Sequence, residues 1–369
     1  MELADELDSL GHRNRVVAIS QGHEGGVEVE LPPLVARVGQ APPVLLLAAL
    51  RLRRQLREAP VDVILAHGGA AVQVAALAVP RGGPLLVWQR ILGFPESVRR
   101  PLRRRWLGLL ARRVDGVAAL TEELGDEVRA LGYHGPVWVI PNFRRADRFR
   151  SLDHAAARGA LRTAVLVGPD VPLVGFVGHL VDQKRPERAV EVVAALAAAG
   201  SPAHLVVAGA GPLAPAVTAE AERRGVTDRV HLLGHRDDVE QVLAGIDLLV
   251  LTSDAEGIPG LAIEAQMAGC PVVTFPLGGV GDVVAHGVTG VVLDRIDVDA
   301  MTSAVADLLA DPDQRSAMGE EARRRSERFA IDVIAPAYIR HIRGLGAHHA
   351  VPSSGAAEPR SGEAGGGAI

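Results

Sequence analysis

Six short apolar runs recur between residues 173 and 293, at 173–177, 204–208, 230–233, 246–251, 271–275 and 290–293, and helical stretches separate the first five of them. Strands that alternate with helices in this way build a doubly wound parallel sheet, because a crossover between parallel strands needs a dozen or more residues and usually returns as a helix. The first half of the chain repeats the alternation, with strands expected at 61–66, 85–88, 114–120 and 137–140. At 369 residues, 48% of them hydrophobic and 22% charged, the chain can bury two cores of ordinary size. The expected architecture is α/β, with two Rossmann-like doubly wound domains facing across a cleft.

In open parallel sheets ligands bind beyond the carboxyl ends of the strands, and the first free N–H groups of the next helix attract anions. The stretch 252–271, TSDAEGIPGLAIEAQMAGCP, has that layout: it leaves an apolar strand, passes two glycines and a proline, and opens a helix near Pro259 or Gly260. Glu256 stands before the helix and Glu264 one turn inside it, so two acceptors flank an anion site. That pairing suits a ligand with both hydroxyls and phosphate. Taken alone, Glu256 serves a helix dipole equally well, and Glu264 is an ordinary solvated helix carboxylate. Lys184 is the only lysine among 39 basic residues, and it lies just past the carboxyl end of strand 173–177, across the expected cleft from that helix start. A compact ammonium there can follow a phosphoryl oxygen as a leaving group departs.

Glu256-Gly257 through Glu264-Ala265, followed by Gly269 and Pro271-Val272-Val273, resembles the E-x7-E donor loop of the family-4 retaining glycosyltransferases, and the region from about 174 to 293 resembles their nucleotide-sugar domain. The resemblance implies the GT-B fold and transfer of a sugar from a nucleotide-diphosphate donor, a UDP- or GDP-sugar, with retention at the anomeric carbon. No metal and no cofactor beyond this co-substrate are implied. Departure of the diphosphate would be assisted by Lys184, by His179, and by the backbone amides of the stretch Ile258, Pro259, Gly260 and Leu261, with Gly257 binding the donor beside them. By the same analogy Glu256 would bind sugar hydroxyls and Glu264 the ribose, while Gly178 belongs to the turn before Lys184 and Gly234 and His235 lie near the base. The family has G-R-L ahead of the lysine; Gly178-His179-Leu180 places an imidazole where the arginine stands, which makes Arg185 a substitute cation.

The implied division is an acceptor-side domain at 1–168, a donor domain at 169–326, a crossover helix at 327–346 returning to the first domain, and a disordered Gly/Ala/Ser/Pro tail at 347–369. Residues 144–163 and 168–170 read as the connection between the domains. The first domain matches less completely. Leucines at 3, 7 and 10 make a helix stripe stopped by Gly11, and a strand is expected at 15–20. The family begins with a strand and a glycine-rich turn ahead of this helix, and neither is read here, so either the start is assigned too late or the protein is shortened relative to the family. His67, at the carboxyl end of strand 61–66, is a candidate for the acceptor side, although a lone histidine is often structural. So is Asn142, in a Pro141-Asn142 corner like the family's PNG with Phe143 for the glycine. Many relatives place a histidine after the next strand, where this chain has Gln89-Arg90.

Residues 1–150 hold 21 arginines against 16 acids, whereas the remainder holds 18 basic and 28 acidic residues. The most basic stretch, 99–113 (RRPLRRRWLGLLARR), spaces Leu102, Trp106, Leu109 and Leu110 helically opposite a band of arginines. It suits an anionic membrane surface, or else a surface helix packed by that stripe. Nucleic acid is not an expected partner, because aromatics make up only 3% and the net charge is −5. The single cysteine, Cys270, excludes an intramolecular disulfide, and its place before an apolar strand favours packing. The longest apolar run, 41–50, is about half a membrane span, and the first residues lack the layout of a signal peptide. A cytoplasmic protein, or one peripheral on the inner face of the membrane, is expected.

Two D-x-D matches, Asp297/Asp299 and Asp311/Asp313, read as a helix cap and a turn rather than as metal ligands. Gly209-Ala210-Gly211 with Ala214 imitates a dinucleotide fingerprint, but the next strand ends at Gly234-His235 without the required acid, and Pro212 removes an N–H, so a glycine turn is expected. The leading expectation is a retaining, metal-independent hexosyltransferase acting on an envelope glycan, a lipid-linked or a small-molecule acceptor. The alternatives are a catalytically impaired nucleotide-sugar-binding protein and a nucleotide-sugar epimerase or hydrolase on the same fold.

Overall fold

The computed structural model describes residues 2–17, 34, 42–91, 93–94, 98 and 100–349. Among the described residues ten strands form two all-parallel sheets. The first holds β1 (Val63–His67), β2 (Leu85–Arg90), β3 (Gly116–Ala119) and β4 (Val137–Val139), side by side in chain order. The second holds β5 (Leu173–Val177), β6 (His204–Ala208), β7 (Val230–Gly234), β8 (Leu248–Leu251), β9 (Val272–Thr274) and β10 (Gly290–Val292), in the order β10-β9-β8-β5-β6-β7. The chain therefore winds outward from β5 to β7, returns to β8 beside β5, and winds outward again on the other side. The reversal between β5 and β8 is the point at which an open α/β sheet leaves a ligand crevice. Every residue of both strands is buried, as strands covered by helices on both faces must be.

A buried charge fixes how β5 and β8 lie together. Asp247, just before β8, accepts from the Leu173 backbone N–H at 2.7 Å and from Arg162 Nη2 at 2.7 Å, while its own N–H donates to the Leu173 carbonyl at 2.8 Å. Arg158 pairs with its other oxygen. Both arginines come from helix His154–Ala164, whose N-terminus is capped by Asp153. Residues 144–163, expected to be connecting chain, thus contain this helix and the short helix Asp147–Arg150, because packing and ion pairs against the second sheet give them regular structure.

The strand expected at 15–20 is not formed over the described residues 15–17; residues 18–20 lie outside the described set. Side chains here satisfy local groups instead: Asn14 Nδ2 donates to the Ala4 carbonyl at 3.1 Å, and Arg15 Nη2 to the Ala59 carbonyl at 2.7 Å. Helix Ile331–His349 crosses to the first sheet and buries Ile334, Ala335 and Tyr338 with Val87, Ala118 and Ile140. Residues 347–349 of the expected tail complete that helix, and 350–369 lie outside the described residues.

Candidate active site

The loops leaving β5 and β8 are stitched to each other. Buried Thr252 donates from Oγ1 to the Lys184 carbonyl at 2.9 Å, the Asp254 N–H donates to the Gln183 carbonyl at 2.9 Å, and Gln183 Nε2 donates to the Ala255 carbonyl at 2.7 Å. Arg188 closes the lacing, donating to the Thr252 carbonyl at 2.9 Å and pairing with Asp254 at 2.7 Å. Lys184 ends a single 3-10 turn, and Arg185 follows in the left-handed region at φ 49°, ψ 53°, which turns the chain into helix Pro186–Ala198. That conformation costs an arginine about 1 kcal/mol, which the cross-links around it offset.

This scaffold aims two distant side chains at each other. Lys184 Nζ pairs with Glu256 Oε1, and the same oxygen accepts from Ser253 Oγ at 2.8 Å. The lysine side chain is 31% exposed and the glutamate 12%, so water screens the pair less than an ordinary surface ion pair. Beside them helix Gly260–Met267 begins after Pro259 with no side-chain cap, which leaves its first N–H groups open to a ligand. Lys184, Ser253, Glu256, Pro259, Gly260 and Leu261 line one cavity at the carboxyl ends of β5 and β8. A cation, a carboxylate and free helix N–H groups within one cavity can hold a phosphate and a hydroxyl together.

The loop is supported from behind. The Gly279 N–H donates to the Gly257 carbonyl at 2.9 Å, and Ile258 is buried in the core, so these two residues fix the loop's shape without lining the cavity. Glu264 meets a partner that nothing in the sequence announced: Arg144 Nε donates to its Oε1 at 2.5 Å. Asn142 Oδ1 accepts from the Phe143 N–H at 3.1 Å and from Arg144 Nη1 at 3.4 Å.

Other expected site residues stand apart from that cavity lining. His179 is exposed beyond β5, and the Arg185 guanidinium is engaged by Glu187 at 3.0 Å and Asp254 at 3.7 Å, so neither supplies a second cation to the cavity as it stands. Gly178 shapes the turn. Gly234 ends β7, two strands from β5, and the exposed His235 pairs with Asp237 at 3.2 Å. His67 is exposed at the carboxyl end of β1, where helix Gly68–Ala78 begins. Gln89 and Arg90 are buried in β2, and Arg90 pairs with Glu127 at 2.8 Å.

The glycine turn after β6 is a packing device. A Cβ on Gly209 would fall 1.8 Å from the Gly178 carbonyl oxygen, and one on Gly211 would fall 2.4 Å from that of Leu180, so only glycines let this turn lie against residues 178–180. Both D-x-D matches prove to be caps: Asp297 accepts from the Ala300 N–H at 3.0 Å and Asp311 from the Gln314 N–H at 2.8 Å. The Ala300 hydrogen bond, reinforced by Arg295, holds the Asp297 carboxyl below its usual range. Asp311 opens a helix in which Pro312 takes the first position, a place that tolerates proline, rather than interrupting one. Burial pushes the Cys270 thiol well up. In helix Pro101–Ala111 the buried face is Leu107, Leu110 and Ala111. Leu102, Trp106 and Leu109 of the expected packing stripe are 81%, 41% and 58% exposed, because the helix turns its other side to the first sheet's core.

The family model described as Glycosyl transferases group 1 matches residues 159–325, and that described as Glycosyltransferase Family 4 matches residues 1–148. The chain is 28% identical over 297 residues to the alpha-D-kanosaminyltransferase of Streptomyces kanamyceticus, covering 75% of each chain. It is 29% identical over 289 residues to the GDP-mannose-dependent alpha-(1-6)-phosphatidylinositol monomannoside mannosyltransferase of Mycobacterium tuberculosis, covering 74% of this chain and 73% of that one. Among solved structures, HepE of Anabaena in complex with UDP shares the fold with a TM-score of 0.72 at 20% identity, over 80% of this chain and 82% of that one. The two models span most of the sequence between them and fall on the two parallel α/β sheets described above, so the chain belongs to the family-4, group 1 glycosyltransferases of the GT-B fold.

Proposed function

We propose that this glycosyltransferase moves a hexosyl group from a UDP- or GDP-sugar, with retention and without a metal ion, to a glycan, lipid-linked or small-molecule acceptor. The observation that carries the reading is the Lys184 and Glu256 pair beside the uncapped start of helix Gly260–Met267, at the reversal of the second sheet. As the bond from the anomeric carbon to the diphosphate oxygen breaks, negative charge grows on that oxygen. Lys184 and the helix N–H groups stabilise this charge more than they stabilise the intact donor. A phosphate that takes the Lys184 ammonium releases Glu256 to accept hydrogen bonds from the sugar, while Ser253 keeps its carboxylate in place. The acceptor oxygen forms the new bond on the face the diphosphate leaves, and its proton passes to the departing phosphate.

The named donor of the mycobacterial relative, GDP-mannose, supports a nucleotide-sugar donor, as do the complexes of HepE with UDP and with UDP-glucose. Glu264 is assigned to the ribose by family analogy, and His67 and Asn142 to the acceptor side. The exposed Leu102, Trp106 and Leu109, with Arg104 and Arg105 exposed beside them, support docking of helix Pro101–Ala111 on an anionic membrane surface at the cytoplasmic side, where a lipid-linked acceptor would lie.

The test is turnover of a panel of UDP- and GDP-sugars, followed by nucleotide release in the presence of EDTA and by the anomeric coupling constant of the product. Lys184→Ala is expected to lower kcat by about 100- to 1,000-fold, and Glu256→Ala to weaken use of the sugar. Unchanged turnover in both variants would sink the site assignment. An inverted anomer would remove retention, and loss of activity on chelation would remove metal independence.

A further inference from the structure

We propose that Arg144 is a second ligand for the donor's diphosphate and that Glu264 is the residue that positions it; the proposal rests on the donor-binding reading above. Arg144 belongs to the corner after β4, outside the second sheet, yet its guanidinium reaches the start of helix Gly260–Met267. Three of its contacts are spoken for: Glu264 Oε1 accepts from Nε at 2.5 Å, the Phe143 carbonyl accepts from Nη1 at 2.8 Å, and Asn142 Oδ1 lies 3.4 Å from Nη1. Nη2 has no hydrogen-bond partner among the described residues. It occupies the space a side chain at position 260 would enter, since a Cβ on Gly260 would come within 1.5 Å of it. The backbone is equally fixed, with the Arg144 N–H donating to the Phe329 carbonyl at 2.9 Å and the Ile331 N–H donating to the Arg144 carbonyl at 3.0 Å.

A cation against the first turn of a helix sits at the wrong end of the macrodipole, where positive partial charge already gathers. Here the side chains of Arg144 and Glu264 are 25% and 22% exposed, so water relieves that cost only in part. Gly260 also lines the cavity that holds Lys184 and Glu256. Glu264 cancels one positive charge and leaves the two N–H donors of Nη2 beside Gly260, at the edge of a cavity whose lining includes Gly260 but neither Arg144 nor Glu264. A dianionic phosphate turns that accumulation of positive charge into attraction. Arg144 would give the site a second cation where position 179 carries an exposed histidine and Arg185 is tied to Glu187 and Asp254.

Isothermal titration with UDP, GDP, uridine and guanosine separates this role from that of a structural bolt. Arg144→Leu is expected to weaken the better-bound diphosphate about 10- to 100-fold, the range for one lost charge-assisted contact, and to leave the affinity for the matching nucleoside unchanged. Arg144→Lys is expected to restore part of the loss. Gly260→Ala keeps every charge but occupies the space of Nη2, and it is expected to reproduce the selective loss even if Arg144→Leu folds poorly. Equal losses for nucleoside and diphosphate, or no loss, overturn the proposal. If Lys184→Ala still weakens diphosphate binding in that case, the donor reading stands without it. If neither UDP nor GDP binds the unaltered chain, both readings fall together.

Discussion

Replacing Asp247 by asparagine would break the joint that sets β5 beside β8. The Asp247 and Arg162 side chains are each 3% exposed, and three arginines converge on this carboxylate: Arg158, Arg162 at 2.7 Å and Arg315 at 4.0 Å. Burial pulls the Arg162 guanidinium below its ordinary pKa and the Asp247 charge opposes that pull, so the carboxylate is what makes a buried arginine tolerable here. Asparagine keeps the shape but removes the charge, and it turns one acceptor into a donor among groups that only donate. Leaving a buried charge uncompensated costs about 3–5 kcal/mol, and that is the expected loss in urea denaturation followed by far-UV circular dichroism, with the denaturant slope preserved. The double variant Asp247→Asn/Arg162→Met removes both charges, keeps an acceptor for the Leu173 N–H, and is expected to lose less than Asp247→Asn alone, since the buried guanidinium is no longer left without its counter-charge. A loss below about 1 kcal/mol for the single change, or a double variant worse than the single, would refute this account of the joint.

Gly209→Ala would drive a Cβ to 1.8 Å from the Gly178 carbonyl oxygen, at a φ of +153° that disfavours a side chain. A loss of about 1–3 kcal/mol is expected, read as a lowered denaturation midpoint; an unchanged midpoint would show that the turn gives way freely. The link between the chain after β4 and the crossover helix should respond to acid. Arg150 bonds Glu327 at 2.6 Å and Asp332 at 2.8 Å, and its hydrogen bond holds the Asp332 carboxyl below the usual value of 3.8. A depressed carboxylate contributes stability above its unfolded pKa and loses it as pH falls through the folded one. The melting temperature should therefore drop on acidification from about pH 5 to about pH 3, and less steeply in Arg150→Leu; parallel curves for the two proteins would exclude this contribution.

Local pattern was enough wherever the deciding information is short in range. The runs at 173–177 and 204–208 appear as strands with those bounds, since an uninterrupted apolar run between turn residues has one way to be buried. Lys184 was marked by being the only lysine, and Glu256 and Glu264 by their spacing around a loop that opens a helix. The same local reading found helix Pro101–Ala111 but not its buried side, because leucines stand on both faces and only the neighbouring core chooses between them. Helix His154–Ala164 gains its meaning from Asp247, 85 residues beyond Arg162. Arg144 had no signal at all: it is one arginine in a chain rich in them, and its partner Glu264 lies 120 residues away. By itself, then, the sequence determined the two parallel α/β sheets and the loop after β8 that opens a helix, because periodicity and turn chemistry are local. Only the tertiary structure decided which charges meet, bringing Lys184 to Glu256 where β5 and β8 end side by side and Arg144, after β4 of the other sheet, to Glu264 in the helix after β8, because the chain between the partners carries no record of the meeting.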